Sequence, residues 1–286
     1  MMRIGFIGLG IMGESMCENI VKKSEKEVFV YDINQEQVKK LVDLGAKAAS
    51  SNQEIGEKCD VIISMVPKSS NVIEVYNELL PILKPGRILI DMSTIDPSVS
   101  RKLSESVKEK GCSMLDAPVV KSKPAAIKGE LGIYIGGDRK VYEEVKPILL
   151  WMGNNVIHMG DNGSGLVMKI CHNMLVAQIQ NGVNETITLA ENSGLNFDDV
   201  VTAISYGGGQ NFYLDGKKGA IKEGDFTTAF SVENMNKDIN LAVNLGTELE
   251  IKLPGAENVK RVYEQAVNRG FSKEDFSATI KIVRDN

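Results

Sequence analysis

Short apolar runs and longer amphipathic stretches alternate through the first half of the chain. The apolar runs are rich in β-branched residues and predict strands at Arg3–Gly8, Glu27–Asp32, Val61–Val66, Arg87–Asp91 and Ser113–Val119. The amphipathic stretches predict helices at Ile11–Lys23, Gln35–Leu44, Val72–Leu83 and Ser98–Lys110. Repeated βα units with apolar strands indicate an α/β domain, in which a doubly wound parallel sheet is covered by helices on both faces.

The pattern changes after roughly Asp161, where strand signals almost vanish. Helices are predicted at Gly165–Ser193, Phe197–Ile204, Val232–Leu245, Ala256–Arg269 and Lys273–Arg284. The first of these is apolar on more than one side, which is typical of a helix buried between domains or subunits. We therefore predict an α/β domain over residues 1–161, followed by an all-α C-terminal domain over residues 162–286.

Composition narrows the classes of function. The 286 residues carry 33 Lys+Arg against 38 Asp+Glu, a mildly acidic balance that argues against general affinity for nucleic acid or an anionic membrane. No apolar run reaches membrane-spanning length and the N-terminus lacks signal-peptide features, so we expect a cytoplasmic protein. The four scattered cysteines are expected to be reduced core thiols. With two histidines and no Cys/His array, neither a metal site nor a histidine-based catalytic triad is expected.

A glycine-rich turn lies between the first strand and the first helix. Its sequence, Gly8-Leu9-Gly10-Ile11-Met12-Gly13, has the pattern G-x-G-x-x-G. Glycines permit a tight turn and let backbone N–H groups approach a pyrophosphate at the helix N-terminus. Asp32 ends the next strand, where a carboxylate accepts hydrogen bonds from ribose hydroxyls and repels a 2′-phosphate. Together they predict binding of NAD(H); a purely structural turn with Asp32 as a cap is the alternative.

Lys169 and Asn173 lie four residues apart on the first helix of the second domain, and therefore on one helical face. Transfer of a hydride to a carbonyl requires a proton donor beside the developing alkoxide. A lysine donates near neutrality where desolvation or positive charge lowers its pKa. Lys169 is thus a candidate general acid/base, and Asn173 a candidate for orienting the substrate or the lysine. From spacing alone, a lysine that extends to the surface fits equally well.

Five motifs in order carry a resemblance that covers essentially the whole chain. They are Gly5-Phe6-Ile7-Gly8-Leu9-Gly10-Ile11-Met12-Gly13, Asp91-Met92-Ser93-Thr94, Asp116-Ala117-Pro118-Val119 with Gly129-x-Leu131 and Gly136-Gly137, Gly165-x-x-x-Lys169-x-x-x-Asn173, and Lys237-Asp238 with Leu241-Ala242. In these motifs the sequence resembles the β-hydroxyacid dehydrogenase family, which includes 3-hydroxyisobutyrate dehydrogenases, tartronate semialdehyde reductases and sulfolactaldehyde reductases.

The resemblance implies a Rossmann-type NAD-binding domain and a helical domain, with the active site in the cleft between them. It implies that Lys169 is the general acid/base and that Asn173 orients the substrate. Contacts with the nicotinamide half of the cofactor are implied for Val66, Pro67, Thr94 and Lys237, of which Lys237 would also cover the substrate. The resemblance further implies a small anionic substrate and a homodimer or homotetramer.

The sequence departs from the family directly after Val119. Most members continue with Ser-Gly-Gly, whose hydroxyl and backbone amides hold the substrate carboxylate, whereas here Val120, Lys121 and Ser122 follow, and then Lys123. Sulfolactaldehyde reductases are similar at this site, since they use a basic residue and a hydroxyl residue to hold a sulfonate. Val120, Lys121 and Ser122 are therefore predicted to form the substrate loop for a three-oxygen anion. Solvated loop lysines are the alternative.

Two classes of function stay open. The favoured one is reduction of 3-sulfolactaldehyde to 2,3-dihydroxypropane-1-sulfonate, with 3-hydroxyisobutyrate, 4-hydroxybutyrate/succinic semialdehyde and tartronate semialdehyde as alternative substrates. The other is a non-catalytic NAD-binding regulator, against which the retained Lys169 and Asn173 argue. The direction of the reaction and the role of Gly207–Gly209 do not follow from the sequence.

Overall fold

The computed structural model describes residues 2–285 and separates into two compact units, of which the first ends at Lys169 and the second begins at Ile170. Each unit has a hydrophobic core of its own. Within residues 2–285, no helix is long and apolar enough to cross a membrane.

The first unit is built on one nine-stranded sheet. Its strands are β1 (Arg3–Ile7), β2 (Glu27–Tyr31), β3 (Lys47–Ala48), β4 (Val61–Ser64), β5 (Ile88–Asp91), β6 (Ser113–Asp116), β7 (Val119–Val120), β8 (Leu131–Gly136) and β9 (Gly153–Gly160). Six strands run parallel in the order β3-β2-β1-β4-β5-β6. Their carboxyl ends therefore lie at one edge of the sheet, where ligands of open α/β sheets bind.

The far side of the sheet differs from the parallel arrangement predicted from the sequence. β8 runs antiparallel to β6 and β7, and β9 pairs in parallel with β8. The strand predicted over Ser113–Val119 is divided into β6 and β7 at Pro118, whose nitrogen has no proton to donate to a ladder. Neither β8 nor β9 was predicted, because glycines interrupt the first and polar residues the second.

Helices cover both faces of this sheet, which confirms the doubly wound α/β class. They are α1 (Gly13–Lys23), α2 (Gln35–Asp43), α3 (Asn52–Lys58), α4 (Ser69–Leu79), α5 (Pro97–Glu109), α6 (Lys123–Lys128) and α7 (Arg139–Met152). Alternate strand residues enter two separate cores: Ile63 of β4 packs with residues of α1 and α7, and its neighbour Ile62 packs with residues of α3, α4 and α5. α3 and α6 are too short for a periodic signal and α7 contains Pro147, so these three helices were not predicted.

The second unit is helical. Its helices are α8 (Ser164–Asn192), which begins in the first unit, α9 (Phe197–Ile204), α10 (Phe212–Glu223), α11 (Val232–Glu248), α12 (Pro254–Asn268) and α13 (Ile280–Arg284). The sequence missed α10. The helix predicted over Lys273–Arg284 is instead a 3-10 turn at Phe276–Thr279 followed by the short α13.

Helix α8 combines buried polar residues with exposed leucines in the single chain, so its predicted burial between domains or subunits stays a prediction. Its inward side carries fully buried polar residues such as Gln180, whose amide donates to the carbonyl oxygen of Phe276 at 3.0 Å. Leu175 and Leu189, by contrast, are 57% and 71% exposed. Because polar side chains of α8 bind the C-terminal segment on the inward side of the helix, some of its apolar side chains face outward.

All four cysteines are free thiols, as expected. Cys17, Cys59 and Cys112 are buried, and burial raises the pKa of the Cys59 thiol to about 12. Cys171 is exposed, so the prediction of four core thiols is wrong for this one.

Candidate active site

The glycine turn between β1 and α1 has the backbone that a close approach requires. Gly8 has φ 92°, and a Cβ atom there would collide with the carbonyl oxygen of Met65. A Cβ atom at Gly13 would collide with the carbonyl oxygen of Gly8, so the turn can close only without side chains at these two positions. At Gly10 a Cβ atom would meet nothing within 4 Å. The turn is thus closed by Gly8 and Gly13 and open above Gly10, which fits a pyrophosphate on the backbone.

Asp32 follows β2 at the same edge of the sheet. Its Oδ2 accepts a hydrogen bond from the Leu9 N–H at 2.5 Å, and its Oδ1 accepts one from the Asn34 N–H at 2.7 Å. The next residue, Ile33, is 91% exposed. The carboxylate is thereby fixed beside the turn, with an apolar side chain and no basic one following it. A carboxylate fixed in this place can accept hydrogen bonds from ribose hydroxyl groups.

Hydrogen bonds between the ends of β4 and β5 position the loop that contains Val66 and Pro67. The Val66 N–H donates to Ser93 Oγ at 2.9 Å, and the Ser93 hydroxyl donates to Asp91 Oδ1 at 2.7 Å. The Ser64 hydroxyl donates to the same oxygen at 2.8 Å. The predicted nicotinamide contacts at Val66, Pro67 and the half-buried Thr94 therefore flank a network centred on a buried carboxylate.

Two buried carboxylates lie side by side in this part of the sheet. Asp91 of β5 is the register partner of Asp116 of β6, and neither has exposed surface. Burial raises the pKa of Asp91 to about 6, although hydrogen bonds from Ser93 and Ser64 oppose the shift. Burial also raises the pKa of Asp116, while backbone N–H groups at the start of α8 oppose this.

Lys169 and Asn173 lie on the first half of α8, and both are buried, with 7% and 5% exposure. Lys169 therefore does not extend to the surface, and the alternative interpretation of this residue as a surface lysine is wrong. The Asn173 Nδ2 donates to Asp238 Oδ2 of α11 at 2.5 Å. This bond fixes the side-chain amide of Asn173 against α11.

Asp238 also holds Lys237, whose Nζ lies 2.8 Å from Asp238 Oδ1. Asp238 is 1% exposed, so this pair involves a buried carboxylate although its two residues are adjacent on one helix. The second unit thus brings the predicted residues Asn173 and Lys237 to one buried carboxylate.

The predicted substrate loop follows β7. Val120 is buried and pairs with Gly132 of β8, whereas Lys121 is exposed and has φ 76°, in the left-handed region. The Lys121 ammonium donates to the carbonyl oxygen of Glu130 at 2.7 Å. Ser122 precedes α6, and its side chain accepts no capping hydrogen bond from the N–H groups of that helix.

Asp91, Asp116 and Asp238 were not assigned roles from the sequence. A usable signal existed for the first two, because each is a carboxylate that ends a buried strand at the ligand-binding edge. Asp238 had no such signal, since a Lys-Asp pair on a helix usually faces solvent.

Comparisons with known proteins agree with this geometry. Residues 3–160 match the family model for the NAD binding domain of 6-phosphogluconate dehydrogenase. Residues 163–283 match the family model described as NAD-binding of NADP-dependent 3-hydroxyisobutyrate dehydrogenase.

Individual relatives align over nearly the whole chain. The 2-(hydroxymethyl)glutarate dehydrogenase of Eubacterium barkeri is 32% identical over 98% of this chain and 94% of its own length. The mitochondrial 3-hydroxyisobutyrate dehydrogenase of Rattus norvegicus is 34% identical over 99% of this chain and 87% of its own length. The solved structure of Mycobacterium tuberculosis 3-hydroxyisobutyrate dehydrogenase with L-serine has a TM-score of 0.93 at 28% identity, and the match covers 99% of this chain and 100% of that one.

The chain belongs to the β-hydroxyacid dehydrogenase family. Members of this family are NAD(P)-dependent hydroxyacid dehydrogenases, and the cofactor is a nicotinamide dinucleotide. The glycine turn and Asp32 are suited to hold it.

Proposed function

We propose that this protein is an NAD-dependent reductase of a small anionic semialdehyde, and that the favoured substrate is 3-sulfolactaldehyde, which it reduces to 2,3-dihydroxypropane-1-sulfonate. The observation that carries the choice of substrate is the backbone of Lys121, whose φ of 76° is one that glycine adopts easily. Most of the family has glycine in this loop, and this chain has a long cation there instead.

The strained backbone of Lys121 supports the proposal that its positive charge binds the substrate anion. A non-glycine residue in the left-handed region costs about 1 kcal/mol or more, and such strain is concentrated at functional sites. The hydrogen bond to Glu130 fixes the ammonium group and uses one of its three N–H donors. Two donors are then left for an anion, with the Ser122 hydroxyl on the next residue. A tetrahedral anion with three oxygens matches this set of donors.

The chemistry at α8 follows from the burial of Lys169. When bound, the nicotinamide supplies the hydride that reduces the aldehyde carbon. In our proposal, the Lys169 ammonium donates a proton to the carbonyl oxygen as negative charge develops there. Asn173, oriented by Asp238, offers its amide oxygen to the substrate hydroxyl or to the lysine. In the opposite direction the neutral lysine removes the hydroxyl proton.

The preference for NAD over NADP is supported by Asp32 and its surroundings. A fixed carboxylate would repel a 2′-phosphate, and the residue that follows it is the apolar Ile33. The proposed cytoplasmic location is supported by the four free thiols, which are typical of a reducing compartment.

A carboxylate substrate is the second candidate, and the relatives favour it. The names of the two aligned enzymes refer to 3-hydroxyisobutyrate and 2-(hydroxymethyl)glutarate, which both carry carboxylates. By analogy the substrate would be 3-hydroxyisobutyrate, 4-hydroxybutyrate/succinic semialdehyde or tartronate semialdehyde.

A panel of aldehydes assayed with NADH separates these candidates. We expect kcat/KM for 3-sulfolactaldehyde to exceed the values for succinic, methylmalonic and tartronate semialdehydes. If sulfolactaldehyde reacts no faster than the carboxylates, the sulfonate proposal fails. Tight NADH binding without turnover of any aldehyde would instead favour the non-catalytic regulator.

The role of Lys121 is tested by Lys121→Ala, with Lys123→Ala as the matched control. Lys123 is an exposed lysine two residues later and has no role in the proposal. Loss of one charge-assisted hydrogen bond, about 1.5–3 kcal/mol, should raise KM for the anion about tenfold or more and leave kcat nearly unchanged. Equal effects of the two substitutions, or a collapse of kcat at constant KM, would contradict the assignment.

A further inference from the structure

The Asp116 carboxylate lies at the carboxyl end of β6 and is not used in the proposed chemistry. It has no exposed surface. Its Oδ1 accepts a hydrogen bond from the Gly163 N–H at 2.6 Å, and its Oδ2 accepts one from the Leu166 N–H at 2.9 Å. These two donors lie at the start of α8, where the first N–H groups of a helix have no partners within it. Asp116 therefore caps the helix that carries Lys169.

Glycines surround this carboxylate on two further sides. A Cβ atom at Gly136 of β8 would collide with the Asp116 carboxylate. A Cβ atom at Gly165 would lie 2.9 Å from Asp116 Oδ2 and would also collide with the carbonyl oxygen of Tyr134. Strand β8 and the first turn of α8 thus approach Asp116 as closely as backbone permits. This packing leaves the carboxylate and the helix start little freedom to shift relative to each other.

We propose that Asp116 is a positioning residue that sets the location of Lys169 through the first turn of α8. Leu166, which donates to Asp116, precedes Lys169 by three residues, or about one helical turn. A hydrogen bond at each end of this turn fixes both its distance from β6 and its rotation about the helix axis. The direction in which the Lys169 side chain leaves the helix follows from that rotation. This inference rests on the proposed function, because it requires Lys169 to be the proton donor.

A charged carboxylate is suited to this task, and an amide is not. Both oxygens of a carboxylate accept hydrogen bonds, whereas one side of an Asn side chain is a donor. In Asp116→Asn, the amide nitrogen would face the N–H of Gly163 or of Leu166, donor against donor. The negative charge also interacts favourably with the N-terminus of a helix of 29 residues. Asp116→Asn therefore removes the cap with almost no change in side-chain volume.

The first test compares Asp116→Asn with Asp138→Asn. Asp138 caps α7 in the same way, by accepting from the N–H groups of Lys140 and Val141, and α7 carries no residue of the proposed site. A displacement of Lys169 by about 1 Å should lower kcat roughly 10- to 100-fold in Asp116→Asn. The Kd for NADH, measured by fluorescence, should stay within twofold. Asp138→Asn should lower Tm and leave kcat unchanged. Equal kcat in the two variants would overturn the proposal.

A second test separates positioning from a general loss of stability. Asp116→Asn is combined with Lys169→Ala, and the residual kcat is compared with that of Lys169→Ala. If Asp116 acts through Lys169, the second substitution should lower Tm and leave the residual kcat unchanged. A further decrease in kcat would contradict this pathway. Should Asp116→Asn fail to fold, Gly165→Ala perturbs the same contact with the carboxylate retained, and full activity of that variant would contradict the proposal.

The two proposals fail in different ways. Full activity of Lys169→Ala would refute the role of the lysine in the proposed function. An inactive Lys169→Ala together with a fully active Asp116→Asn would refute the positioning role alone.

Discussion

Asp32 binds two backbone N–H groups, those of Leu9 and Asn34, and so connects the glycine turn to the end of β2. The carboxylate thus stabilises the turn before any cofactor is present. The same charge lies where the 2′-position of a dinucleotide ribose is expected. Asp32 therefore has a structural role, and its proposed role in cofactor selectivity can be measured separately.

Asp32→Ser is expected to lower the preference for NADH over NADPH. Removing a carboxylate that lies within a few ångströms of a phosphate relieves a repulsion of about 1–4 kcal/mol, or about fivefold or more in the ratio of kcat/KM values. The ratio is the informative quantity, because loss of the Leu9 hydrogen bond weakens binding of both cofactors. Asp43→Ser removes one exposed negative charge from α2 and serves as the control. An unchanged ratio in Asp32→Ser would refute the proposed selectivity.

At the scale of elements, the ends of β4, β5 and β6 are joined by polar side chains rather than by apolar packing. Ser64, Asp91 and Ser93 connect the first two strands to the loop at Val66, and Asp116 connects the third to α8. Buried polar groups of this kind fix one arrangement, because an alternative arrangement would leave them without partners. The loop at Val66 and the start of α8 are therefore held by carboxylates on neighbouring strands.

The contribution of Asp91 to stability should fall as the pH rises through the range in which Asp91 ionises. The pKa of Asp91 is raised from 3.8 to about 6 in the folded protein. Below pH 4 the group is protonated in both states. Between pH 4 and 6 the unfolded chain releases the proton and the folded protein retains it, so the contribution of Asp91 to the free energy of unfolding decreases. Above pH 6 this contribution is constant, at a cost of the order of 2–3 kcal/mol.

Asp91→Asn cannot ionise, so its stability relative to the parent protein should increase from pH 4 to pH 7 in urea titrations. Asp138→Asn provides a control of opposite sign. Backbone N–H groups of Val141 and Lys140 lower the pKa of Asp138, and its stabilisation is therefore present at neutral pH and lost as the pH falls. If the stability of Asp91→Asn relative to the parent protein stays constant or decreases as the pH rises, Asp91 is not a buried carboxylate that titrates in this range.

At the scale of the whole molecule, α8 presents exposed leucines to solvent. Leu175 and Leu189 are 14 residues apart, and Gly182 lies midway between them on the same exposed face. Burying a leucine contributes about 1.5–3 kcal/mol, so such a face favours association. We propose that a second copy of this chain covers it and that the protein is a homodimer or homotetramer.

Light scattering after size exclusion tests this association. The parent protein should have the mass of a dimer or a tetramer, and the double substitution Leu175→Glu with Leu189→Glu should reduce that mass. Leu195→Glu with Leu249→Glu changes two leucines that are also more than half exposed and lie outside α8, and it should leave the mass unchanged. A monomeric parent, or the same mass in all three proteins, would refute the proposed interface.

Local patterns in the chain were enough to predict the fold class and the cofactor. The period of the apolar residues distinguishes strands from helices, and the glycine turn with Asp32 uses residues that are close in sequence or joined by one βα unit. The lengths of α1, α8 and α9 were predicted within two residues for the same reason. Elements that lack a periodic signal, such as β8, β9 and α6, were missed.

Burial and pairing between distant segments were settled by the tertiary structure. Asp91, Asp116 and Asp238 look like ordinary acidic residues in the sequence, and each becomes a buried anchor through partners far away in the chain, up to 65 residues for Asp238 and Asn173. The left-handed backbone of Lys121 and the outward leucines of α8 have the same origin. The environment of a side chain depends on which other segments pack against it. The spacing of apolar residues in the sequence indicates only which face of its own helix or strand a side chain occupies.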